Sequence, residues 1–286
     1  MKLHSLLTLF ALASLSIGSC SPEKSPPVEN TRGPMKTASN PEYRTPLPQG
    51  PVPRNPDMTM PGNFSKSSGV TFSRVSVPGP YVALTFDDGP HASHTPRLLD
   101  ILRARNVKAT FYVIGKNVDL YPGIVRRTVA EGHEIGNHTY THPKLSSLST
   151  DRVMSEIRKT DDAIVRACGI RPKTLRPPYG ALLQSQRQMI HSTFGYPTIM
   201  WSVDPLDWKR PGSSVVTSRI VSATNNGAII LVHDLHGSSV DAMPATVDAL
   251  LRKGYKFVTV SQLLAMGSSG QASAPAQPST LVNAGQ

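Results

Sequence analysis

The 286-residue chain has only two cysteines, and charged residues make up only 17% of it. Two cysteines are too few for a scaffold built on disulfides or for a zinc module with four cysteine ligands. A hydrophobic content of 38% excludes wholesale disorder, and the mixed composition excludes a multi-pass membrane protein. No GxGxxG motif follows the first apolar run of the central region, and no GxxxxGKS/T motif occurs, which argues against a dinucleotide-binding fold and a P-loop.

The start of the chain has the pattern of an export signal. One lysine precedes a short apolar run that ends at Cys20 in the sequence IGSC, and this run is too short to span a bilayer comfortably. Because the ending resembles the lipobox of bacterial lipoproteins, we expect residues 1–19 to be removed and Cys20 to be acylated. Ordinary cleavage nearby, leaving Cys20 as a free thiol, is the alternative. Ser21, where an aspartate would favour inner-membrane retention, favours an envelope lipoprotein of the outer membrane.

The prolines are unevenly distributed, since eleven of the 26 lie between Pro22 and Pro61. This proline-rich composition predicts that residues 20–75 are an acylated cysteine followed by an extended tether. Residues 266–286 carry no charged side chain and predict a disordered tail. The remaining residues, 76–265, suffice for a single core, so we expect one folded domain there.

Within this domain, apolar runs rich in branched residues alternate with segments of helical period. This alternation predicts an α/β fold with a parallel sheet and right-handed crossovers. The seven predicted strands are Tyr81–Phe86, Ala109–Ile114, His133–Ile135, Thr174–Arg176, Pro197–Val203, Ala228–Val232 and Lys256–Val260. The six predicted helices lie near residues 95–105, 122–131, 150–168, 182–194, 213–224 and 240–253, and a short last helix starts at Ser261.

Unusual polar residues stand at or just past the C-terminal ends of five predicted strands. They are Asp87 and Asp88, His138 and His142, Arg176 and Tyr179, Asp204 and Asp207, and His233. Parallel α/β proteins build their active sites at this edge. Five contributing strands suit the mouth of a barrel better than a crevice between two strands.

His138 and His142 are spaced so that two imidazoles can share one metal ion. A carboxylate would complete a site with open coordination positions, for which zinc is the default and other transition metals are alternatives. The spacing alone is a weak signal, because structural histidines are often spaced in this way.

Asp87 and Asp88 are adjacent carboxylates at the end of an apolar run that reads as a buried strand. Their mutual repulsion and lost hydration would be relieved by a cation. A turn at Gly89-Pro90 would let both face the mouth, although this sequence is also ordinary turn chemistry. A lone histidine such as His233 is more often structural, and it becomes a candidate general acid only in the company of these groups.

Together these residues resemble the five motifs of the NodB-homology polysaccharide deacetylases, which form carbohydrate esterase family four. The matching segments are Thr85–Pro90, His138–His142, Arg176–Gly180, Asp204–Trp208 and Leu231–His233. Any one motif is modest evidence, whereas five in the same order are highly specific. The resemblance covers residues 76–265 and implies a distorted (β/α) barrel with about seven parallel strands.

The resemblance also implies a metal centre and a proton-transfer pair. Asp88, His138 and His142 match the ligands of one divalent ion, for which we expect zinc, with cobalt, nickel or manganese as alternatives. Asp87 matches the general base and His233 the general acid.

Six further positions match supporting residues of the family. Arg176 matches the arginine that holds the base, Asp207 would orient this charged network, and Asp204 would support it. The remaining three are assigned to the substrate, with the backbone N–H of Tyr179 as oxyanion donor and with Trp208 and Leu231 lining the acetyl pocket.

The predicted activity is metal-dependent hydrolysis of acetamide groups on an N-acetylglucosamine polymer, with peptidoglycan as the first choice of substrate. Chitooligosaccharides and O-acetyl groups such as those on xylan are alternatives. A glycan-binding lipoprotein without turnover is a rival of another class, and the presence of Asp87 and His233 argues against it. We expect a monomer that contacts the membrane through its lipid and does not bind nucleic acid, since no basic–aromatic motif appears.

Overall fold

The structure of the protein, a computed structural model, describes residues 71–271. The predicted signal peptide, Cys20, most of the tether and most of the tail lie outside the described residues. The described strands are β1 (Thr71–Phe72), β2 (Tyr81–Asp87), β3 (Thr110–Val113), β4 (Glu134–Asn137), β5 (Thr198–Ile199), β6 (Ile229–His233) and β7 (Lys256–Phe257). The described helices are α1 (His94–Arg103), α2 (Gly115–Leu120), α3 (Pro122–Ala130), α4 (Thr150–Cys168), α5 (Gln184–Phe194), α6 (Ser213–Ala223), α7 (Gly237–Arg252) and α8 (Val260–Gln271).

Strand β2 is the centre of a parallel sheet. Its neighbours are β3 and β6, β4 lies beyond β3, and β7 also pairs with β2. The register places Asp87 beside Tyr112 of β3 and beside His233 of β6. The last residues of the central strands therefore meet at one edge, which is the geometry that brings separate motifs together.

The other side of the ring is closed by a short strand pair and by isolated bridges. Strands β1 and β5 form a two-stranded parallel pair. Leu175 bridges Asn137 on one side and Thr198 on the other, while Val203 bridges Ile230. These parallel contacts complete a circle with uneven pairing, so the predicted distorted α/β barrel is confirmed.

Three predicted strands are much shorter in the structure than in the sequence pattern, and one of them, Lys256–Val260, is reduced to β7, with Val260 already in helix α8. Thr174–Arg176 is reduced to the bridges of Leu175, and Pro197–Val203 to β5 and the bridge of Val203. Pro177 follows the first of these segments directly, and a proline cannot donate to a strand ladder. The apolar pattern of these segments indicates that they are buried. The length of a strand depends instead on how many of its backbone groups form hydrogen bonds with a neighbouring strand.

The helix pattern is predicted more closely than the strand pattern. Helix α4 spans Thr150–Cys168 as expected, and Gly169 ends it with a left-handed φ of 72°. Helix α2 was not predicted, because its six residues are too few to show a helical period. Cys168 is buried, and its thiol lies 3.2 Å from the carbonyl oxygen of Ile164.

The folded region extends beyond both predicted domain limits. Strand β1 pairs with β5 before residue 76, and Arg74 bridges Ala228. Helix α8 continues to Gln271, past residue 265. Short polar segments at the margins of a domain carry little apolar signal, so pairing with the barrel decides their structure. Within residues 71–271, every helix is too short or too polar to cross a membrane.

The core lies between the sheet and its surrounding helices. Leu84 and Phe86 of β2 are fully buried against neighbouring apolar residues such as Phe111 of β3. Inside the barrel, the guanidinium of Arg176 lies over the ring of Tyr112, with 4.3 Å from its carbon to the ring centroid. The barrel interior is therefore filled by a charged side chain as well as by apolar ones, directly below the candidate site.

Candidate active site

The chain turns sharply where β2 ends. Asp88 has a φ of 76°, a left-handed conformation that aspartate adopts more readily than most residues. Its N–H donates to the carbonyl of Tyr112 at 3.2 Å, and its own carbonyl accepts from Asn117 Nδ2 at 2.8 Å. Because the turn interrupts the strand alternation, Asp87 and Asp88 both approach Nε2 of His138, at 3.8 Å and 3.3 Å. The two carboxylates thus share one side of the barrel mouth, as the sequence predicts.

Asp88, His138 and His142 form a compact group of possible metal ligands. One ligand atom from each lies within 4.8 Å of the other two. Asp88 Oδ1 is 3.1 Å from Nε2 of His142, and the two imidazole centroids are 5.0 Å apart. His138 follows β4 directly, and the intervening loop returns His142 to the same place.

The donor atoms of this group fit a divalent metal ion. Asp88 Oδ1 is buried and has no hydrogen-bond partner among residues 71–271, although two ring nitrogens lie close to it. His138 Nδ1 donates to the carbonyl of Arg176 at 2.7 Å, so in the neutral ring Nε2 keeps the lone pair that a metal requires. A carboxylate oxygen with two imidazole nitrogens is a ligand set for zinc and related ions.

The electrostatics of the group favour a charged carboxylate on Asp88. Burial works against ionisation of Asp88, but its contacts with His138 and His142 lower the pKa of this carboxyl well below its usual range. Burial likewise opposes a charge on His138, yet the nearby Asp87 and the contact with Asp88 raise the pKa of its ring. The negative charge at this edge can therefore be compensated either by a proton on histidine or by a cation.

Arg176 holds the predicted base from inside the barrel. It is completely buried, and its Nη1 donates to Asp87 Oδ1 and to Thr85 Oγ1, both at 2.7 Å. The other donors reach the carbonyls of Ile199 at 3.2 Å and Met200 at 3.1 Å. One oxygen of Asp87 is thus fixed by a charge-assisted hydrogen bond, which leaves the second oxygen facing the metal ligands.

His233 and Asp207 form a second charged pair on the neighbouring strand. Asp207 Oδ1 lies 2.8 Å from His233 Nδ1, Asp207 Oδ2 accepts the N–H of His233 at 2.9 Å, and Ser239 donates to Oδ2 at 2.6 Å. Burial opposes the charge on His233, but the hydrogen bond and the charge of Asp207 raise its pKa to about 9. Burial also opposes ionisation of Asp207, yet the bond to His233 lowers its pKa. A protonated imidazole at neutral pH is a suitable general acid.

Asp204 is placed apart from these charged pairs. It is exposed, and its Oδ1 accepts the N–H of Leu206 at 2.8 Å, where Leu206 has a left-handed φ of 55°. Asp204 therefore stabilises the loop that leads to Asp207, and the predicted contact with the charged network is not among its hydrogen bonds. The two other supporting residues bind the proton-transfer groups directly, since Asp207 binds His233 and Arg176 binds Asp87.

The predicted substrate-binding residues lie around the mouth. Tyr179 is exposed, with a left-handed φ of 59°, and its ring centroid is 4.7 Å from that of His142. Trp208 is half exposed, with the Lys209 ammonium 5.0 Å from its ring centroid. Leu231 is buried in β6, two residues before the predicted acid.

Asp234 is a site residue that the sequence reasoning missed. It is fully buried and accepts the hydroxyl of Thr95 at 2.5 Å through Oδ2, while its Oδ1 has no hydrogen-bond partner among the described residues. A Cβ atom added to Gly89 would come within 2.4 Å of this carboxylate, so the Asp87–Gly89 turn depends on a glycine there. Burial, with the charges of Asp88 and Asp87, raises the pKa of Asp234 to about 7. In the sequence, the one feature that could have identified Asp234 as a site residue is that it directly follows His233.

Comparison with known proteins agrees with this geometry. The family model described as polysaccharide deacetylase matches residues 74–198. A peptidoglycan N-acetylglucosamine deacetylase of Bacillus cereus is 38% identical over 234 residues, which cover 78% of this chain and 85% of that protein. The solved structure of the peptidoglycan N-acetylglucosamine deacetylase Bc1960 is 38% identical, with a TM-score of 0.66 over 68% of this chain and 92% of the other.

Another relative is considerably longer than the region it shares with this chain. The peptidoglycan N-acetylglucosamine deacetylase PgdA of Listeria monocytogenes is 43% identical over 182 residues, which cover 64% of this chain and 38% of that protein. The similarity to such relatives therefore concerns the barrel and its site. The barrel, the order of its motifs and the near-complete coverage of the Bacillus cereus protein together show that the chain belongs to the polysaccharide deacetylase family.

Proposed function

We propose that the protein is a metal-dependent deacetylase that hydrolyses the acetamide of N-acetylglucosamine in peptidoglycan and releases acetate. The observation that carries this proposal is the arrangement of two charged pairs around one metal-ligand group. Asp87 is held by Arg176 and His233 by Asp207, and both pairs end where Asp88 and the two histidines converge. Relatives named as peptidoglycan N-acetylglucosamine deacetylases support the choice of polymer.

Asp88, His138 and His142 would hold the ion. When bound, a divalent metal polarises a carbonyl and lowers the pKa of water, and zinc is our first choice, with cobalt, nickel or manganese as alternatives. Asp87 is in place to take a proton from the attacking water, because Arg176 fixes one of its oxygens and leaves the other free.

The remaining groups of the mouth would complete the hydrolysis. The N–H of Tyr179 would donate to the oxyanion, a contribution of about 100-fold or more for a single donor of this kind. His233 would protonate the leaving amine, since an amine anion is a poor leaving group. Trp208 and Leu231 would border the acetyl methyl. Water and acetamide are thereby converted into acetate and a free amine.

Acetate release by residues 21–286 tests the proposal. The substrates are peptidoglycan, chitooligosaccharides and acetylated xylan, each with a chelator and then with zinc or cobalt restored. We expect release from peptidoglycan that stops with the chelator and returns with the metal. Faster release from either other substrate would reassign the substrate. Absence of release from all three by the metal-loaded protein would favour a glycan-binding lipoprotein without turnover.

We further propose that the protein is exported and held in the envelope by a lipid on Cys20, with the outer membrane as its destination. The support is the apolar run, the small residues before Cys20 and the serine that follows it. Labelled palmitate incorporated by the wild type and not by Cys20→Ser, with the label in outer-membrane fractions, is the expected result. Wild-type protein without label would show that Cys20 carries no lipid. Label in inner-membrane fractions would show that the protein is anchored in the inner membrane instead.

A further inference from the structure

The loop between the two metal-site histidines is held by a carboxylate of helix α4. Glu156 Oε2 accepts the backbone N–H groups of Tyr140 at 2.9 Å and Thr141 at 2.8 Å. Its Oε1 accepts the hydroxyl of Thr141 at 2.9 Å. Tyr140 and Thr141 lie midway between His138 and His142, so one side chain fixes the centre of the loop.

Helix α4 also holds the beginning of the same loop, by binding the side chain of Asn137 at the end of β4. Asn137 Nδ2 donates to Asp161 Oδ1 at 2.8 Å and to the carbonyl of Ile157 at 3.0 Å, and its Oδ1 accepts the N–H of Thr139 at 2.8 Å. Asp161 is completely buried and also accepts the hydroxyl of Tyr196 at 2.8 Å. Two acidic residues five positions apart on α4 therefore fix two successive parts of the loop.

The conformation of this loop needs such support. Thr139 has a φ of 67° and His142 a φ of 61°, both in the left-handed region. This region is especially unusual for Thr139, because its side chain is β-branched. Backbone in sparsely populated regions costs on the order of 1–3 kcal/mol per residue and persists only where its surroundings over-determine it. Among the described residues, one side-chain hydrogen bond joins two residues of the segment from His138 to His142, and it runs from the His142 N–H to Thr139 Oγ1 at 3.2 Å.

We propose that Glu156 is a positioning residue for the metal centre, which sets the separation of the His138 and His142 rings by fixing the backbone between them. The side-chain hydrogen bonds of Glu156 among the described residues go to Tyr140 and Thr141 and not to the two rings, so we assign its action to the backbone of these two residues. This inference rests on the proposed metal site. Groups that orient metal ligands typically change metal affinity by about 10–100-fold, and we expect about tenfold weaker binding when Glu156 is removed.

Metal binding by full-length variants is the first measurement. Zinc affinity is measured by competition with a chromophoric chelator, and the visible spectrum of bound cobalt reports the ligand geometry. Glu156→Ala is expected to bind zinc about tenfold more weakly and to change the cobalt spectrum. Glu156→Gln keeps a carbonyl oxygen for both N–H groups and is expected to remain close to wild type. Asp162→Ala, an exposed position on the same helix, is the matched control for loss of charge.

Hydrogen exchange of the Tyr140 and Thr141 amides in the metal-free protein is the second measurement. Exchange is expected to be faster in Glu156→Ala than in the wild type, and unchanged in Asp162→Ala. Unchanged exchange, or equal zinc affinity in the two alanine variants, would overturn the positioning role. Because exchange needs no ion, a wild-type protein that binds no metal would overturn the proposed function while this role is still measured.

A shorter carboxylate keeps the inference testable if Glu156→Ala does not fold. Glu156→Asp withdraws the oxygens from the loop by one methylene and preserves the charge. We expect Glu156→Asp to bind zinc more weakly than Glu156→Gln. The reverse order would show that the charge of Glu156, and not its hydrogen bonds, matters for the ion.

Discussion

Asp207 holds His233 with both oxygens of its carboxylate, one 2.8 Å from the ring Nδ1 and the other accepting the backbone N–H at 2.9 Å. The imidazole is therefore fixed in position as well as in charge. Asp207 is itself fixed by the hydroxyl of Ser239. Asp207 is the main group that raises the pKa of His233, and the charges of Asp87 and Asp88 contribute less.

Asp207→Asn is expected to lower the pKa of His233 from about 9 toward the ordinary histidine value of 6.5. The bond and the charge of Asp207 favour the imidazolium, so the folded-state pKa lies above the unfolded one. The stabilisation is complete below pH 6.5 and is lost as the pH rises through about 9. NMR titration of His233 in the metal-free protein measures this change. Asp204→Asn, at the exposed aspartate of the same loop, is the control, and an equal shift in both variants would contradict the pairing.

Asp87→Asn is expected to separate metal binding from turnover. Asparagine can still accept from Arg176 but cannot take a proton, so acetate release should fall by about 100- to 10,000-fold with zinc retained. His142→Ala should lose the zinc as well, because it removes one of three ligands. Zinc content and acetate release are measured on the same samples. Unchanged turnover in Asp87→Asn would refute its role as the base.

Removal of Arg176 is expected to destabilise the fold even without metal. Its loss removes the guanidinium from a buried ion pair with Asp87, which typically costs about 3–5 kcal/mol. We therefore expect the unfolding free energy of Arg176→Met, measured in urea, to fall by this amount. Arg152→Met, at an exposed position of α4, should stay within about 0.5 kcal/mol of the wild type. Arg176→Lys should fall between the two, because it keeps the charge and loses the fork of donors. Similar stabilities for the two methionine variants would contradict the buried pair.

Asp234→Asn is expected to change how stability depends on pH. The folded-state pKa of Asp234 is raised from 3.8 to about 7, so the folded protein binds an extra proton between these values and loses stability as the pH rises through them. Asparagine mimics the neutral acid and removes this loss. Urea unfolding of metal-free protein at pH 4 and pH 8 should show the variant gaining on the wild type at the higher pH. A constant difference would show that Asp234 titrates normally.

The strands with the best sequence signal are those buried in the middle of the sheet. The run Tyr81–Phe86 is apolar along its length because β2 has neighbours on both sides and helices above it, and the structure extends it by one residue. The segments around Leu175 and Val203 are equally apolar, yet only isolated bridges form there. Burial leaves a local trace in the sequence, whereas backbone pairing depends on distant segments.

The candidate site shows the same division between local and distant information. The motif order predicted which residues meet at the mouth, because parallel strands bring their C-terminal ends together. It gave Asp207 the orienting role and Asp204 a supporting one, but it did not predict that Asp207 pairs with His233 while Asp204 accepts the N–H of Leu206. Nor did it identify Asp234, whose hydroxyl partner, Thr95, is 139 positions away in the chain.

Arg176 has a consequence for how related sequences should be interpreted. It is among the largest fully buried side chains, lying over the ring of Tyr112 while it binds Asp87. A descendant that abandoned hydrolysis could replace Asp87 or a histidine at the rim, but replacing the arginine would also empty the centre of the barrel. An arginine at this position in a relative is therefore evidence of an intact barrel, and turnover has to be judged from the residues at the rim.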